Sequence, residues 1–231
     1  MTLSNKHITP KSISDFLLFL GMLFVVVNVS ADILAYKMIG MGPFLMSVGV
    51  FIVPFSYAIT DVTTEVYGYK VSKRVIWLGL LAEFLFDLIC YLGSLTKSPQ
   101  VLNNDMIFTQ TLQPLLHVYM AVFIANVASY FLNIYCISKW KILTQGKYFW
   151  LRSIGSSGIA ELVFTVICDG IVFYGTLPNG SVIHTIFSTF SIKMACAILL
   201  SFPLSLLANI LKRMEHTDTY DYHVNFNPFK P

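Results

Sequence analysis

Charged side chains are scarce in this chain of 231 residues. Only 12% of the residues are Asp, Glu, Lys or Arg, and 56% are hydrophobic, whereas a soluble domain carries about 25% charged residues. A chain of this length has too small an interior to hide so much apolar surface from water. The composition therefore excludes an ordinary soluble domain and predicts a protein that lipid partly covers.

Motifs for catalysis, cofactor binding and metal binding are also missing. The sequence has no HExxH, no P-loop and no dinucleotide-binding glycine pattern. We therefore expect no enzyme activity, no catalytic residues, no cofactor, no metal and no ATP hydrolysis by the chain itself. The four cysteines form no CxxC pair, which indicates neither a metal site nor a disulfide framework. The net charge of +3 gives no indication of a nucleic-acid partner.

Long apolar runs are what the sequence has instead. A membrane-spanning helix needs roughly 20 mostly apolar residues, and six runs qualify, which predicts an all-α membrane protein with six transmembrane helices. Pro54 falls inside the second run and predicts a broken second helix, because proline removes a backbone donor and clashes with the preceding turn. The six predicted spans are 14–36, 43–60, 75–93, 114–137, 151–174 and 185–211.

The positions of the basic residues predict the orientation of these spans. Twelve Lys and Arg residues fall on one side of the membrane, and two, Lys37 and Lys97, fall on the other. Short loops rich in Lys and Arg stay in the cytoplasm, so we expect both termini there. This gives a six-helix transmembrane domain over residues 1–213 and a polar cytoplasmic tail over residues 214–231, which we expect to be ordered only in part.

Ionisable residues inside the predicted spans are candidates for function. A charge at the centre of a bilayer costs roughly 2.5–3.5 kcal/mol on insertion scales, so such groups usually face the bundle interior. Glu161 and Lys193 are predicted near the midplane on neighbouring helices, either as an ion pair that only neutralises itself or as a polar site that a ligand enters. Glu83 and Asp87 share one helix face, which suits either proton coupling or bonds to polar neighbours. The predicted intramembrane set is Asn28, Asp32, Glu83, Asp87, Asn126, Glu161, Asp169 and Lys193.

The segment 54–68 is the densest polar cluster of the chain. It contains Tyr57, Asp61, Glu65 and Tyr67. A helix break exposes free backbone groups, which a membrane tolerates only inside protein or beside a wet cavity. We therefore expect this segment to bind a ligand or to be critical for folding. In the fifth span, small residues allow close helix packing, and Ser156 is a further candidate for a cavity wall.

The sequence resembles the queuosine precursor transporter family of bacterial inner-membrane proteins. The similarity extends over residues 24–213, and its most specific part reads PFSYAITDVTTEVYG at 54–68, which fits the family's Pro, Tyr, Thr-Asp, Glu-Val-Tyr-Gly signature. Further matches lie at 26–29, 152–157, 193, 203 and 212–213. The chain departs from the family in having Glu161 where Gln is common and Phe164 where Asp is common.

The resemblance implies import of 7-cyano-7-deazaguanine or 7-aminomethyl-7-deazaguanine, salvaged to make queuosine in tRNA, across the bacterial inner membrane. It also implies a six-helix fold like the substrate-binding S-components of energy-coupling-factor vitamin transporters. The alternative is an S-component-like subunit that captures a vitamin-like ligand and works with a separate ATPase. Which deazapurine is preferred, and whether the chain forms a homo-oligomer or has an ATPase partner, stay open.

The candidate residues suit such a ligand chemically. A carboxylate, here Glu161 or Glu65, can accept both N–H donors of a guanine-like edge. A Lys or Asn can donate to its carbonyl, and an aromatic face can stack on the ring. We expect these residues to converge on one wet cavity. The predicted substrate-binding residues are Asn28, Tyr57, Asp61, Glu65, Tyr67, Asn126, Ser156, Glu161 and Lys193, and the candidates for ion coupling are Asp32, Glu83 and Asp87.

Overall fold

The computed structural model describes residues 14–41, 44–99, 105–173 and 179–230. This part of the chain is mainly helical, with a short antiparallel hairpin and a 3-10 helix between the first two α-helices. The α-helices are α1 Asp15–Ala35, α2 Val53–Tyr67, α3 Tyr69–Ser94, α4 Asp105–Leu143, α5 Phe149–Phe173 and α6 Asn179–Met214. The hairpin strands are β1 Met38–Met41 and β2 Phe44–Ser47, and the 3-10 helix is Val48–Phe51.

Five of these helices, α1, α3, α4, α5 and α6, are long and apolar enough to cross a membrane. Their outer faces carry many large exposed apolar side chains, among them Leu18, Met22, Leu78 and Leu199. Exposed apolar surface of this extent is typical of a face that contacts a membrane or another protein. The helices therefore present to lipid the surface that the composition predicts.

The segment 43–60, predicted as the second span, does not form one helix. The hairpin pairs Met38 with Ser47, the 3-10 helix follows directly, and α2 is only 15 residues long. Pro54 lies in the first turn of α2 and does not interrupt a helix, because a first-turn proline gives up only an N–H that has no helical partner there. The chain therefore changes from hairpin to 3-10 helix before α2 begins, and α2 itself is not broken at Pro54.

The helix α2 lies at the centre of the bundle. Every residue from Ser56 to Val66 is buried, and α2 contacts α1, α3, α4, α5 and α6. Its Ser, Thr, Asp and Glu side chains therefore meet protein groups and not hydrocarbon, which is how a membrane domain accommodates a polar helix. The aromatic core packs beside it, with the Tyr130 ring centroid 4.9 Å from that of Tyr57 and 5.3 Å from that of Phe24.

Four helix ends meet at one end of the bundle. Ser14, which precedes α1, donates to Glu215 Oε1 just after α6 at 2.6 Å, and its Oγ lies 3.3 Å from Tyr67 Oη at the end of α2. Gly68 then turns the chain into α3 with a φ of 83°, a conformation that glycine adopts without strain. The start of α1, the ends of α2 and α6 and the start of α3 therefore lie together.

The segment 215–230 after α6 packs against this end of the bundle. Thr219 N donates to Val66 O at 3.2 Å, and Tyr69 N donates to Asp221 Oδ2 at 2.9 Å. Further along, the Tyr69 hydroxyl donates to Phe226 O at 2.7 Å. The sequence predicted a tail that is ordered only in part, whereas the described tail residues make contacts with the helices along the whole segment.

Candidate functional site

A cavity of about 320 Å³ lies at the end of the bundle opposite the tail. Helix α1 begins at the tail, and its far end, from Ala31 to Tyr36, contributes one wall. The hairpin, the 3-10 helix, α4, α5 and α6 close the rest. The volume is at the lower end of the range of small-molecule sites, roughly 300–1,000 Å³. The charged, polar and aromatic side chains in its wall include Asp32, Tyr36, Phe164, Cys168, Asp169, Thr185, Thr189 and Lys193.

Lys193 is the cation of this cavity. Its side chain is 2% exposed, its Nζ donates to Thr165 Oγ1 at 3.2 Å and lies 4.3 Å from the centroid of the Phe164 ring. No carboxylate of the described residues forms an ion pair with it. A buried ammonium with one neutral acceptor retains two N–H groups for another partner, so Lys193 is free to bind a carbonyl or an anion in the cavity.

Two carboxylates, Asp32 of α1 and Asp169 of α5, lie in the same wall. In each, Oδ2 is buried and receives no hydrogen bond from the residues that the structure describes. Buried acceptors without a donor are uncommon and call for an explanation. The chain has Phe164 where Asp is common in the family. Asp169 supplies a carboxylate to the cavity wall that Phe164 also lines.

The predicted pair of Glu161 and Lys193 is not an ion pair in the structure. Glu161 is fully buried, and both of its oxygens are without a hydrogen-bond donor among the described residues. It lies within electrostatic range of both Lys193 and Asp61. Glu161 is not among the residues that line the cavity, so it interacts with the cation of the cavity only through charge.

Asp61 has a complete set of protein donors. Its Oδ1 accepts from Asn133 Nδ2 at 2.5 Å, and its Oδ2 accepts from Ser157 Oγ at 3.0 Å and from Ser153 Oγ. These donors come from α4 and α5, so the carboxylate joins three helices. Ser156, predicted for the cavity, instead donates to Ser153 O at 3.2 Å within α5.

Glu65 lies one helical turn further on and is the centre of an ion cluster. Arg152 contacts both of its oxygens, with Nη1 at 2.8 Å and Nη2 at 3.1 Å, and Lys212 Nζ contacts Oε1 at 2.5 Å. Lys141 lies 3.9 Å from the same oxygen and binds Asp218 of the tail at 2.6 Å. Glu65 was predicted to bind substrate; in this structure its carboxylate oxygens accept from Arg152 and Lys212, and the tail reaches the cluster through Asp218.

Asp218 links this cluster to the tail. Burial raises the pKa of the Asp218 carboxyl, but hydrogen bonds and charge from Lys141 and Lys212 outweigh burial, so the net effect is a pKa below the usual value of 3.8. A lowered pKa means that this contact stabilises the fold at neutral pH and is lost only as the pH falls through that lowered value. The tail is therefore held by charge under physiological conditions.

The remaining predicted residues lie in other places. Asn28 Oδ1 and Ser56 Oγ are each 2.7 Å from the Tyr130 hydroxyl, and the Tyr57 hydroxyl donates to Ser129 Oγ at 2.8 Å. These three contacts are internal to the core, and the residues that make them do not line the cavity. Asn126 is buried in α4 outside the residues that line the cavity.

Tyr67 lines a second, larger groove of about 930 Å³ between the tail-side ends of α1 and α3. Its walls include Leu18, Met22 and Leu78, which are exposed apolar side chains on spanning helices. Lipid chains are the expected occupants of such a surface. The larger volume therefore does not make this groove the polar site.

The structure thus brings only two of the predicted residues, Asp32 and Lys193, into the cavity. The predicted convergence of all candidates on one chamber is not found among the described residues. Sequence reasoning missed the roles of Tyr36, Phe164, Cys168 and Thr189, which carry no charge and look like ordinary residues of an apolar run. Asp169 stood out as an ionisable residue in a span, and that was the signal that could have identified it.

The fold and this site define a multi-pass helical membrane protein with a polar interior. Residues 47–208 match the model of the family described as "Putative vitamin uptake transporter", and the chain belongs to this family. A similar protein is the "Probable queuosine precursor transporter" of Bacillus subtilis (strain 168), 27% identical over 142 residues. That match covers 61% of this chain and 62% of the relative, so the chain spans less than two thirds of the relative's length. No solved structure matches this chain significantly.

Proposed function

We propose that this protein imports a small, planar, nucleobase-like molecule across the bacterial inner membrane, and that its substrates are the queuosine precursors 7-cyano-7-deazaguanine and 7-aminomethyl-7-deazaguanine. The observation that carries the proposal is the cavity in which unpaired Lys193 shares a wall with Asp32 and Asp169. The family description supports the uptake of a small molecule, and the name of the Bacillus subtilis relative supports this class of substrate.

The wall chemistry is complementary to a guanine-like edge. Asp169 can accept the two adjacent N–H donors, and Lys193 can donate to the neighbouring carbonyl. The rings of Phe164 and Tyr36 line the same space and offer faces on which a planar ring can stack. In this assignment Asp169 takes the role that sequence reasoning gave to Glu161 or Glu65.

We infer that polar groups form a row from the cavity toward the tail. Glu161 interacts electrostatically with both Lys193 and Asp61, and Glu65 follows Asp61 one turn later on α2. The cluster of Glu65 with Arg152 and Lys212, covered by the tail, closes its far end. We infer that substrate leaves the cavity along this row, which requires the ion cluster to rearrange during transport.

We infer six membrane crossings, with the hairpin, the 3-10 helix and α2 together making the second. The support is the contact of Ser14 with both Glu215 and Tyr67. If α1 begins and α6 ends on one side, the number of crossings is even, and five spanning helices need one more. The excess of basic residues assigns the tail side to the cytoplasm.

The direct test is uptake of radiolabelled 7-aminomethyl-7-deazaguanine and 7-cyano-7-deazaguanine by the purified protein alone in proteoliposomes. We expect saturable uptake without any ATPase subunit. Lys193→Gln should weaken binding about 10- to 150-fold, since a hydrogen bond from a charged donor contributes about 1.5–3 kcal/mol. Asp169→Asn should have a similar effect, and Lys97→Gln, at an exposed residue, serves as the matched control.

The possible outcomes separate the parts of the proposal. If the intact protein neither binds nor transports either precursor, the substrate assignment is wrong. Binding without uptake would instead indicate a capture subunit that needs a separate ATPase. Normal binding by Lys193→Gln and Asp169→Asn would rule out the cavity as the site while leaving the substrate class in place.

A further inference from the structure

Three carboxyl groups, those of Asp32, Glu83 and Asp87, lie together between α1 and α3 beside the cavity. The Asp32 carboxyl is within hydrogen-bonding reach of Glu83, and Asp87 is one turn away on the same helix as Glu83. Glu83 and Asp87 are each only 1% exposed. Because Asp32 also lines the cavity, this cluster is connected to the place where a ligand would bind.

The cluster lacks a compensating positive charge in the part of the chain that the structure describes. No Lys or Arg there forms an ion pair with any of the three. Neither oxygen of Glu83 receives a hydrogen bond from a donor group, nor do Asp32 Oδ2 and Asp87 Oδ1. The titratable groups that face the cluster are Tyr36, Cys90, Tyr119, Tyr130 and Cys168.

None of these five groups is a cation, and two of the tyrosines donate elsewhere. Asp169 and Lys193 line the cavity that Asp32 also lines, but Lys193 forms no ion pair with the cluster. The Tyr119 hydroxyl donates to Leu80 O at 2.8 Å, and the Tyr130 hydroxyl is engaged with Asn28 and Ser56. Burial of two adjacent unpaired carboxylates is very costly, and the usual response of such a pair is to hold a proton. Two carboxyl groups can also hydrogen-bond to each other only when one of them carries the hydrogen.

We propose that Asp32 and Glu83 form a binding site for one exchangeable proton, and that occupancy of the cavity is linked to this proton through Asp32. A proton from water in the cavity bonds to a carboxylate oxygen of Asp32, and the new O–H donates to Glu83. Release breaks that O–H bond and returns the proton to water, and no other bond changes. A proton fits better than a metal ion, because no acidic cluster among the described residues has the geometry to hold a metal.

The proton site itself is tested without any ligand. In the purified protein in lipid at neutral pH, infrared difference spectroscopy should show the carbonyl stretch of a protonated carboxyl group. Glu83→Gln and Asp32→Asn should each remove the band of this site, since a lone carboxylate beside an amide can stay ionised and accept from it, whereas a band from another buried carboxyl group such as Glu161 should remain. Asp105→Asn, which removes an exposed carboxylate, should leave the band unchanged.

The link to the cavity rests on the proposed function and needs a second measurement. Calorimetric binding of 7-aminomethyl-7-deazaguanine in two buffers of different ionisation enthalpy gives the number of protons exchanged on binding. We expect a non-zero number for the intact protein and for Asp105→Asn, and a loss of the exchange in Glu83→Gln.

Each result has a distinct meaning. A missing infrared band, or a spectrum that both substitutions leave unchanged, overturns the proton site whether or not the precursor binds. Binding with no proton exchange overturns the link to the cavity and leaves the proposed function standing. If the precursor does not bind at all, the proposed function and the link both fail, and the infrared result still decides the proton site.

Discussion

Glu65 shows how a buried charge is accommodated in this protein. Its side chain is fully buried and contacts Arg152 and Lys212 directly, with Lys141 near by. Paired contacts of an arginine with both carboxylate oxygens are among the stronger hydrogen bonds in proteins. The removal of one partner from a buried ion cluster costs more than the cluster contributes overall, because it leaves uncompensated charge behind.

We expect Glu65→Gln to destabilise the protein strongly. The substitution keeps the shape of the side chain but leaves the buried Arg152 without its anion and Lys212 with Asp218 as its remaining ion-pair partner, and removal of one partner from a buried ion pair typically costs roughly 3–5 kcal/mol. The thermal midpoint of the purified protein in detergent, followed by fluorescence, measures the effect. Asp15→Asn, which changes an exposed carboxylate at the same end of the bundle, is the matched control.

The double variant Glu65→Gln/Lys212→Gln makes this prediction specific. Removal of one of the excess cations should recover part of the lost stability, so the two effects should be clearly non-additive. If Glu65→Gln melts at the wild-type temperature, the ion cluster contributes nothing and the basic residues find other partners. If Lys212→Gln lowers the thermal midpoint of Glu65→Gln still further, the argument from uncompensated charge is also wrong.

At this scale the sequence identified charged residues well but not their partners. Asp32, Asp61 and Glu65 look alike in an apolar run, since each is simply a carboxylate where hydrocarbon was expected. The structure gives Asp61 donors from α4 and α5, gives Glu65 basic partners, and leaves Asp32 without a donor to Oδ2. Partners on other helices are distant in sequence, so the difference between a structural and a ligand-binding carboxylate was not predictable.

The helix α2 and the hairpin before it were the least predictable elements. Hydropathy reports how apolar a segment is, and residues 43–60 are as apolar as a short span. What decides their structure is the surroundings, because α2 is enclosed by five helices and meets almost no lipid. The five long helices were predictable for the opposite reason, since each has one face in contact with hydrocarbon and must be apolar over its length.

The tail offers a prediction for a single element. Asp221 accepts from Tyr69 N at 2.9 Å and from Ser138 Oγ at 2.7 Å, so Asp221→Ala leaves two buried donors without an acceptor, at about 1–3 kcal/mol each. We expect a lower thermal midpoint and faster hydrogen exchange at the Thr219 amide, which is bonded to Val66 O. Mass spectrometry of exchanged peptides from the tail measures this directly.

A substitution at the neighbouring Tyr222 is the control, because it changes the composition of the tail without removing the contacts of Asp221. Tyr222 is 64% exposed, so Tyr222→Ala should leave both the melting temperature and the exchange of the tail close to wild type. Equal protection of the Thr219 amide in the intact protein and in Asp221→Ala would show that the carboxylate does not hold the tail. From the sequence this segment is simply polar, and the contacts that hold it are to helix residues distant in sequence.

For the whole molecule, the contacts at the tail end are the basis of the proposed threading through the membrane. Ser14, Tyr67 and Glu215 meet at one end, so residues 38–67 must return the chain from the far end of α1. A composite of hairpin, 3-10 helix and α2 can do so only because surrounding helices shield its polar groups from lipid. A crossing built from a hairpin, a 3-10 helix and a short α-helix contains no single apolar run long enough to span a membrane.

This threading predicts the side on which three exposed residues lie. Lys37 follows α1, Thr96 follows α3 and His216 follows α6. Six crossings with a composite second one place Lys37 and Thr96 on the same outer side and His216 in the cytoplasm. Single cysteines at these positions, in a variant whose four native cysteines are replaced by serine, report the side through a membrane-impermeant maleimide applied to right-side-out vesicles. Lys37→Cys and Thr96→Cys should react at once, and His216→Cys only after permeabilisation. If Lys37→Cys and Thr96→Cys are instead labelled from opposite sides, residues 38–67 do not cross the membrane.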